Sequence, residues 1–209
     1  MTRAARFLVI TAAGTLSMAV TALPAAAQGF FGRAGPVSIE IGDAPAASQI
    51  TFLCTAPMEQ TRGTASHIKG SLRLADGANL AGTTGKITVP IASMTTGSDT
   101  RDVHMRGPEW LNGDGFPLIS FEIEKLDGVT TEGSTAKATT AGTFSLNGVS
   151  KRLAIPVNIV FNPKNQAIKI TAKFSILLKD FNIKGKRGII GKQVGESVEL
   201  EAVFYGLAR

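Results

Sequence analysis

The feature that most constrains this chain is a period-two alternation of apolar and polar residues, repeated from Val37 to Phe204. At that period successive side chains fall on opposite faces of an extended strand. Val37, Ile39 and Ile41 form the first run, and Ile50, Phe52 and Cys54 the second. Ser66 to Leu74 carries Ile68, Leu72 and Leu74, and Ile87, Val89 and Ile91 follow. Further on come Ile119, Phe121 and Ile123, then a strand from near Ala136 to Phe144 and Leu146. Leu153 to Phe161, Ile168 to Leu178 and Val198 to Phe204 complete the set. Turn signals separate the runs at Asp76-Gly77, Asp127-Gly128, Asn147-Gly148, Asn162-Pro163 and Gly185 to Gly191. Asn147-Gly148 between two alternating runs predicts a tight hairpin.

Strands with one apolar face each must hide those faces together. The fold class expected is all-β: an antiparallel up-and-down barrel of about eight strands, closure of which removes the exposed edges. A two-sheet sandwich is the alternative. A barrel of ~8 strands is either filled by its own side chains or holds one small ligand. The inward positions are almost all Ile, Val, Leu, Phe and Ala, so a ligand held there would be long and apolar, with any polar head at the mouth. Composition alone leaves open whether the interior is a cavity or a packed core.

The alternation stops between Ile91 and Glu124. Ser98 can cap a helix whose first turn holds Asp99 and Asp102, where the helix dipole favours negative charge. Asp102 and Arg106 are four apart and share a face, which predicts an ion pair of Asp102 with Arg106 or Arg101 that fixes the helix to the barrel. Gly107-Pro108 stops the helix, and Glu109 to Asn112 makes a second short turn ended by Gly113. The expectation is a helical insert near residues 98–112 between two strands.

The amino terminus reads as an export signal. Arg3 and Arg6 precede an uncharged run from Phe7 to Leu23, and Ala25-Ala26-Ala27 offers a small-residue cleavage site. Residues 1–27 are therefore expected to be removed, with a periplasmic product starting at Gln28, a loose Gly-rich segment at 28–36 and one domain over 37–209. Loss of Arg3 and Arg6 leaves 20 basic against 16 acidic residues, a net charge of +4. That mild excess, without basic runs interleaved with aromatics, points away from nucleic acid. Cys54 is the single cysteine, which excludes an internal disulfide and a cysteine-built zinc site; its place on an apolar face marks it as a buried thiol.

The chemistry available is thin. His67 and His104 are the two imidazoles, and Asp102 and His104, two apart on a helix, point to different sides. No G-x-S-x-G elbow or H-x-x-x-H pair occurs. No catalytic or metal-binding residue is assigned. His104 reads as a structural hydrogen-bonding group at the barrel end or a polar contact to a ligand head. Lys179, Lys184, Lys186, Arg187 and Lys192 surround a Gly-rich loop, either a solvated surface or a site of attraction to anionic lipid.

Several stretches resemble one bacterial family. Thr95-Thr96-Gly97, then Arg101-Asp102-Val103-His104-Met105-Arg106, then Phe116-Pro117 and Phe121 look like the central signature of the YceI-like proteins. Thr51 to Gly70, Gly142 to Val157 and Phe174 to Val203 are similar to other parts of it. Trp110-Leu111 departs from a pair of aromatics common in the family, and Asn147 stands where His is common. The resemblance implies a lipocalin-like barrel, often periplasmic, that holds a polyisoprenoid chain without catalysis. No cofactor is implied apart from a bound isoprenoid or quinone-like lipid. The ligand-binding candidates are Phe52, Ile91, Phe121, Ile123 and Phe144 with Ile155 and Phe174 in the interior, and His104 and Trp110 at the mouth. A hydrolase or isomerase using His104, and a filled barrel acting as a structural or stress-related interaction module, are the alternatives. Transient contact with a membrane surface and pairing of two copies both remain open.

Overall fold

The computed structural model describes residues 29–33, 35–42, 44, 46–56, 60–184, 187–188, 191–192 and 196–209. The expected signal segment 1–27 lies outside these residues. The strands are β1 (Val37–Ile41), β2 (Gln49–Thr55), β3 (Gln60–Ala65), β4 (Lys69–Leu74), β5 (Thr84–Pro90), β6 (Leu118–Glu132), β7 (Thr135–Leu146), β8 (Val149–Asn162) and β9 (Ala167–Leu177). Two-residue strands β10 (Arg187–Gly188) and β11 (Gly191–Lys192) precede the last long strand, β12 (Ser197–Ala208). One α-helix, α1 (Asp99–Arg106), occupies the expected insert.

Eight strands close a barrel in the order β1-β4-β5-β6-β7-β8-β9-β12, with β12 returning to β1. β4 to β9 meander up and down, each antiparallel to the next. β12 is longer than its partner strands on one side and serves two of them. Its residues 206–208 pair with β1, and its residues 198–203 pair with β2. The β2–β3 hairpin thus extends the wall towards the end that carries α1, and Thr64 bridges to Thr95 there. This close approach needs a residue without a side chain: a Cβ on Gly63 would strike the Phe52 ring and the Thr95 carbonyl.

Four expectations need correction. The strand expected over Ser66 to Leu74 starts only at Lys69, because residues 66–68 form the break after β3, with His67 at a positive φ of 53°. Asp127-Gly128 is not a turn between strands. It forms a bulge within β6, where the register against β7 shifts between Asp127 and Thr130, and the reversal comes at Gly133-Ser134. Residues 28–36 were expected loose, but Phe30 and Phe31 stack on each other at 5.2 Å and Phe31 packs on Phe161 at 4.9 Å. Finally, Ile91 leaves the alternation: β5 ends at Pro90 and Ile91–Ser93 is a 3-10 turn.

The Asn147-Gly148 hairpin forms as read. Leu146 pairs with Val149, and both turn residues have positive φ, 49° and 72°, as a type I′ turn requires. The expected turn at 185–191 falls largely outside the described residues.

Candidate ligand cavity and its mouth

The inward faces of the barrel strands do not fill it. They enclose an apolar cavity of about 850 Å³, within the range of small-molecule sites. The alternation explains the lining. In β7 the even-numbered residues from Ala136 to Leu146 are buried, while the odd-numbered ones are more exposed. In β8 the odd-numbered residues from Ile155 to Phe161 are buried.

Eight of the nine candidate residues line this cavity: Phe52, His104, Trp110, Phe121, Ile123, Phe144, Ile155 and Phe174. Phe121 and Phe144 are register partners, and the Phe144 and Phe174 rings meet edge-on at 6.4 Å. Glu122 and Lys173, on the opposite faces, are exposed. Ile91 is the exception. Its 3-10 turn buries it, at 1% exposure, outside the cavity wall and close to Gly113. Strand alternation could not foresee this because it ends one residue earlier, at Pro90. Cys54, read as a buried core thiol, is half-buried on the cavity wall.

Helix α1 and the turns after it form the mouth. Asp102 is the anchor, and it is 6% exposed. It accepts hydrogen bonds from the Thr95 hydroxyl at 2.6 Å and from the Thr96 N–H and hydroxyl, both at 2.7 Å. Gly97, at φ 76°, lets the chain turn between these threonines and the helix. Burial opposes the charge on Asp102, but the Thr95 and Thr96 hydroxyls, the Thr96 N–H and the Arg106 guanidinium outweigh it, so the carboxyl titrates below its ordinary value. The expected ion pair is therefore the lesser contact. Arg106 stands 4.0 Å from Asp102 and spends its guanidinium on the Met94 carbonyl at 2.6 Å. Sequence spacing finds i,i+4 partners on one helix but not threonines from the loop before it.

His104 is exposed on the rim, and Val103, Met105, Arg101 and Glu109 share the lining with it. Trp110 follows in a turn closed by Trp110 N–H to the Gly107 carbonyl at 3.0 Å. On the other side Phe181, from the 3-10 turn Leu178–Phe181, is fully buried against Phe144 at 5.4 Å. Asn147, in the adjoining hairpin, donates to the Phe181 carbonyl at 3.1 Å. Four of the large apolar side chains that remain exposed lie at this end: Val103, Phe116, Leu118 and Leu177. Of the basic group near it, Lys179 and Lys184 are exposed, while Lys186 and the side chains of Arg187 and Lys192 lie outside the described residues. Among the described residues no group of three His, Cys, Asp or Glu could hold a metal ion.

Sequence comparison agrees with this architecture. The YceI-like domain matches residues 43–205. The chain belongs to the YceI-like family. A UPF0312 protein of Photorhabdus laumondii is 29% identical over 145 residues, 68% of this chain and 72% of the relative. Among solved structures, BcnA of Burkholderia cenocepacia superposes with a TM-score of 0.64 at 17% identity, covering 76% of this chain and 95% of that one. A polyisoprenoid binding domain from Saccharophagus degradans, implicated in plant cell wall breakdown, superposes with a TM-score of 0.63 at 16% identity, covering 82% and 98%. At these identities the structural likeness establishes the shared barrel.

Proposed function

We propose that this YceI-like protein is exported to the periplasm and binds one long apolar lipid, polyisoprenoid-like, inside its barrel, without chemistry on it. The observation that carries this reading is the 850 Å³ cavity with its apolar lining. A filled barrel would serve equally well for stability, so a hollow one is a feature that needs a use. The likeness to a barrel described as polyisoprenoid binding supports the class of ligand. The mouth supports a route: Val103 on the cavity lining, with the exposed Phe116, Leu118 and Leu177 at the same end, offers apolar surface that can rest on a bilayer while a lipid passes between membrane and cavity.

The test is native mass spectrometry and lipid extraction of protein purified from its own periplasm. A stoichiometric co-purified lipid and a mature chain beginning at Gln28, give or take a residue, are expected. A ligand-free protein that also fails to take up an isoprenoid or fatty probe, or to float with vesicles, refutes the reading. The His104→Ala protein should take up the same probe with at most a modest loss of affinity. A folded His104→Ala protein that loses a demonstrable turnover would instead establish an enzyme working at the mouth.

A further inference from the structure

Thr140 is out of place in the cavity wall. It lies on the inward face of β7, opposite Leu126 on β6 and Ile155 on β8, and is 4% exposed. Its hydroxyl is buried and has no hydrogen-bond partner. At the mouth the Arg106 Nε is also buried without a partner, though its guanidinium bonds the Met94 carbonyl; the other fully buried polar side chains of the wall and mouth, Thr83 and Asp102, are satisfied. The Thr83 hydroxyl donates to the Leu80 carbonyl at 2.7 Å, and Asp102 is held by three short bonds. A buried hydroxyl without a partner is unfavourable, and valine has nearly the same shape without that penalty. The residue at 140 makes sense if the occupant of the cavity completes its hydrogen bond.

We infer that Thr140 is a specificity-determining residue, selecting a lipid that carries a neutral oxygen group in the part of the chain lying within the barrel. This rests on the lipid-binding reading and adds to it. A threonine hydroxyl both donates and accepts, so a hydroxyl, ketone or ether oxygen suits it. A charged group does not, because Leu126 and Ile155 beside it offer no counter-charge. The depth is defined. Thr140 is six residues from Leu146, the mouth end of β7, or about 20 Å along the strand. The oxygen therefore belongs well inside the ligand or at its leading end, separate from any head group at the rim. Reaching it takes a change of χ1 at Thr140 between staggered wells, which turns the shielded oxygen towards the void.

The experiment displaces a fluorescent fatty probe from the whole mature protein with stearate and with hydroxystearates whose hydroxyl sits at successive chain positions. In the wild type at least one hydroxystearate should bind as tightly as stearate or better. In Thr140→Val that compound should weaken about tenfold relative to stearate, the loss of one buried hydrogen bond. Thr140→Ser, which keeps the hydroxyl, should retain the preference. The empty Thr140→Val protein should melt no lower than the wild type. If stearate binds but the ratio is the same in wild type and Thr140→Val at every position, this inference fails and the carrier reading stands. If wild type binds neither stearate nor any hydroxystearate, both fail.

Discussion

Asp102 shows how one residue can hold a mouth in place. Its carboxylate receives three hydrogen bonds from Thr95 and Thr96 and ties the start of α1 to the loop that precedes it. The Thr-Thr-Gly and Arg-Asp-Val-His-Met-Arg pieces of the signature are thus two halves of one clamp. Removing the acceptor strands two hydroxyls and an N–H, and Asp102→Ala should cost about 1–3 kcal/mol. The clamp is also pH-dependent. The carboxyl of the folded protein titrates below 3.8, the ordinary value. The stabilisation is therefore complete above the unfolded value and is lost as pH falls through the folded one. Urea midpoints of wild type and Asp102→Asn, compared from about pH 5 down to about pH 2, should converge on the acid side. A gap that stays constant across that range would show that the charge plays no part.

At the scale of elements, what could be read in the sequence was what alternation and turn chemistry encode. The long strands β7, β8, β9 and β12, the first half of β6, the Asn147-Gly148 hairpin and the helical insert all follow from local pattern. The errors came where a local signal has two physical meanings. Asp-Gly at 127–128 suits a turn, yet it equally suits a bulge inside a long strand, where Gly128 takes a positive φ of 61°. The break at residues 66–68 has no proline or glycine to mark it. Phe30 and Phe31 sit in a Gly-rich stretch whose order depends on Phe161, distant in sequence. For the site, inward positions were legible because a strand's period is two, whereas the threonine clamp and the orphaned Thr140 hydroxyl depend on tertiary neighbours. The β2–β3 hairpin offers an element-level test. Gly63→Ala would place a Cβ against the Phe52 ring and the Thr95 carbonyl. It should cost about 1–3 kcal/mol by denaturant melting and speed hydrogen exchange at Thr64 and Thr95, whose amides bond each other's carbonyls at 2.8 and 2.9 Å. Unchanged exchange at both would show that the hairpin edge is held by something other than this close approach.

For the whole molecule the question is what an empty interior contributes. Closing the ring through β12 satisfies the strand edges, and the aromatic group of Phe30, Phe31 and Phe161 seals the end away from α1. Those features would stabilise a filled barrel equally well, so stability does not account for the void. Phe121 gives the test, because it is only part-buried within the protein and lies on the cavity wall beside Phe144. In a packed core, Phe121→Trp would force side chains off their rotamers at about 1–3 kcal/mol. Beside a cavity of about 850 Å³ the larger ring can project into open space. The expected result is a denaturant midpoint near that of wild type, together with weaker uptake that grows more pronounced as the lipid chain is lengthened. Short chains, which need less of the cavity, should bind nearly as before. Affinity unchanged at every chain length, with a large loss of stability, would mean that the interior behaves as a core, and the carrier reading would give way to a structural role for the barrel.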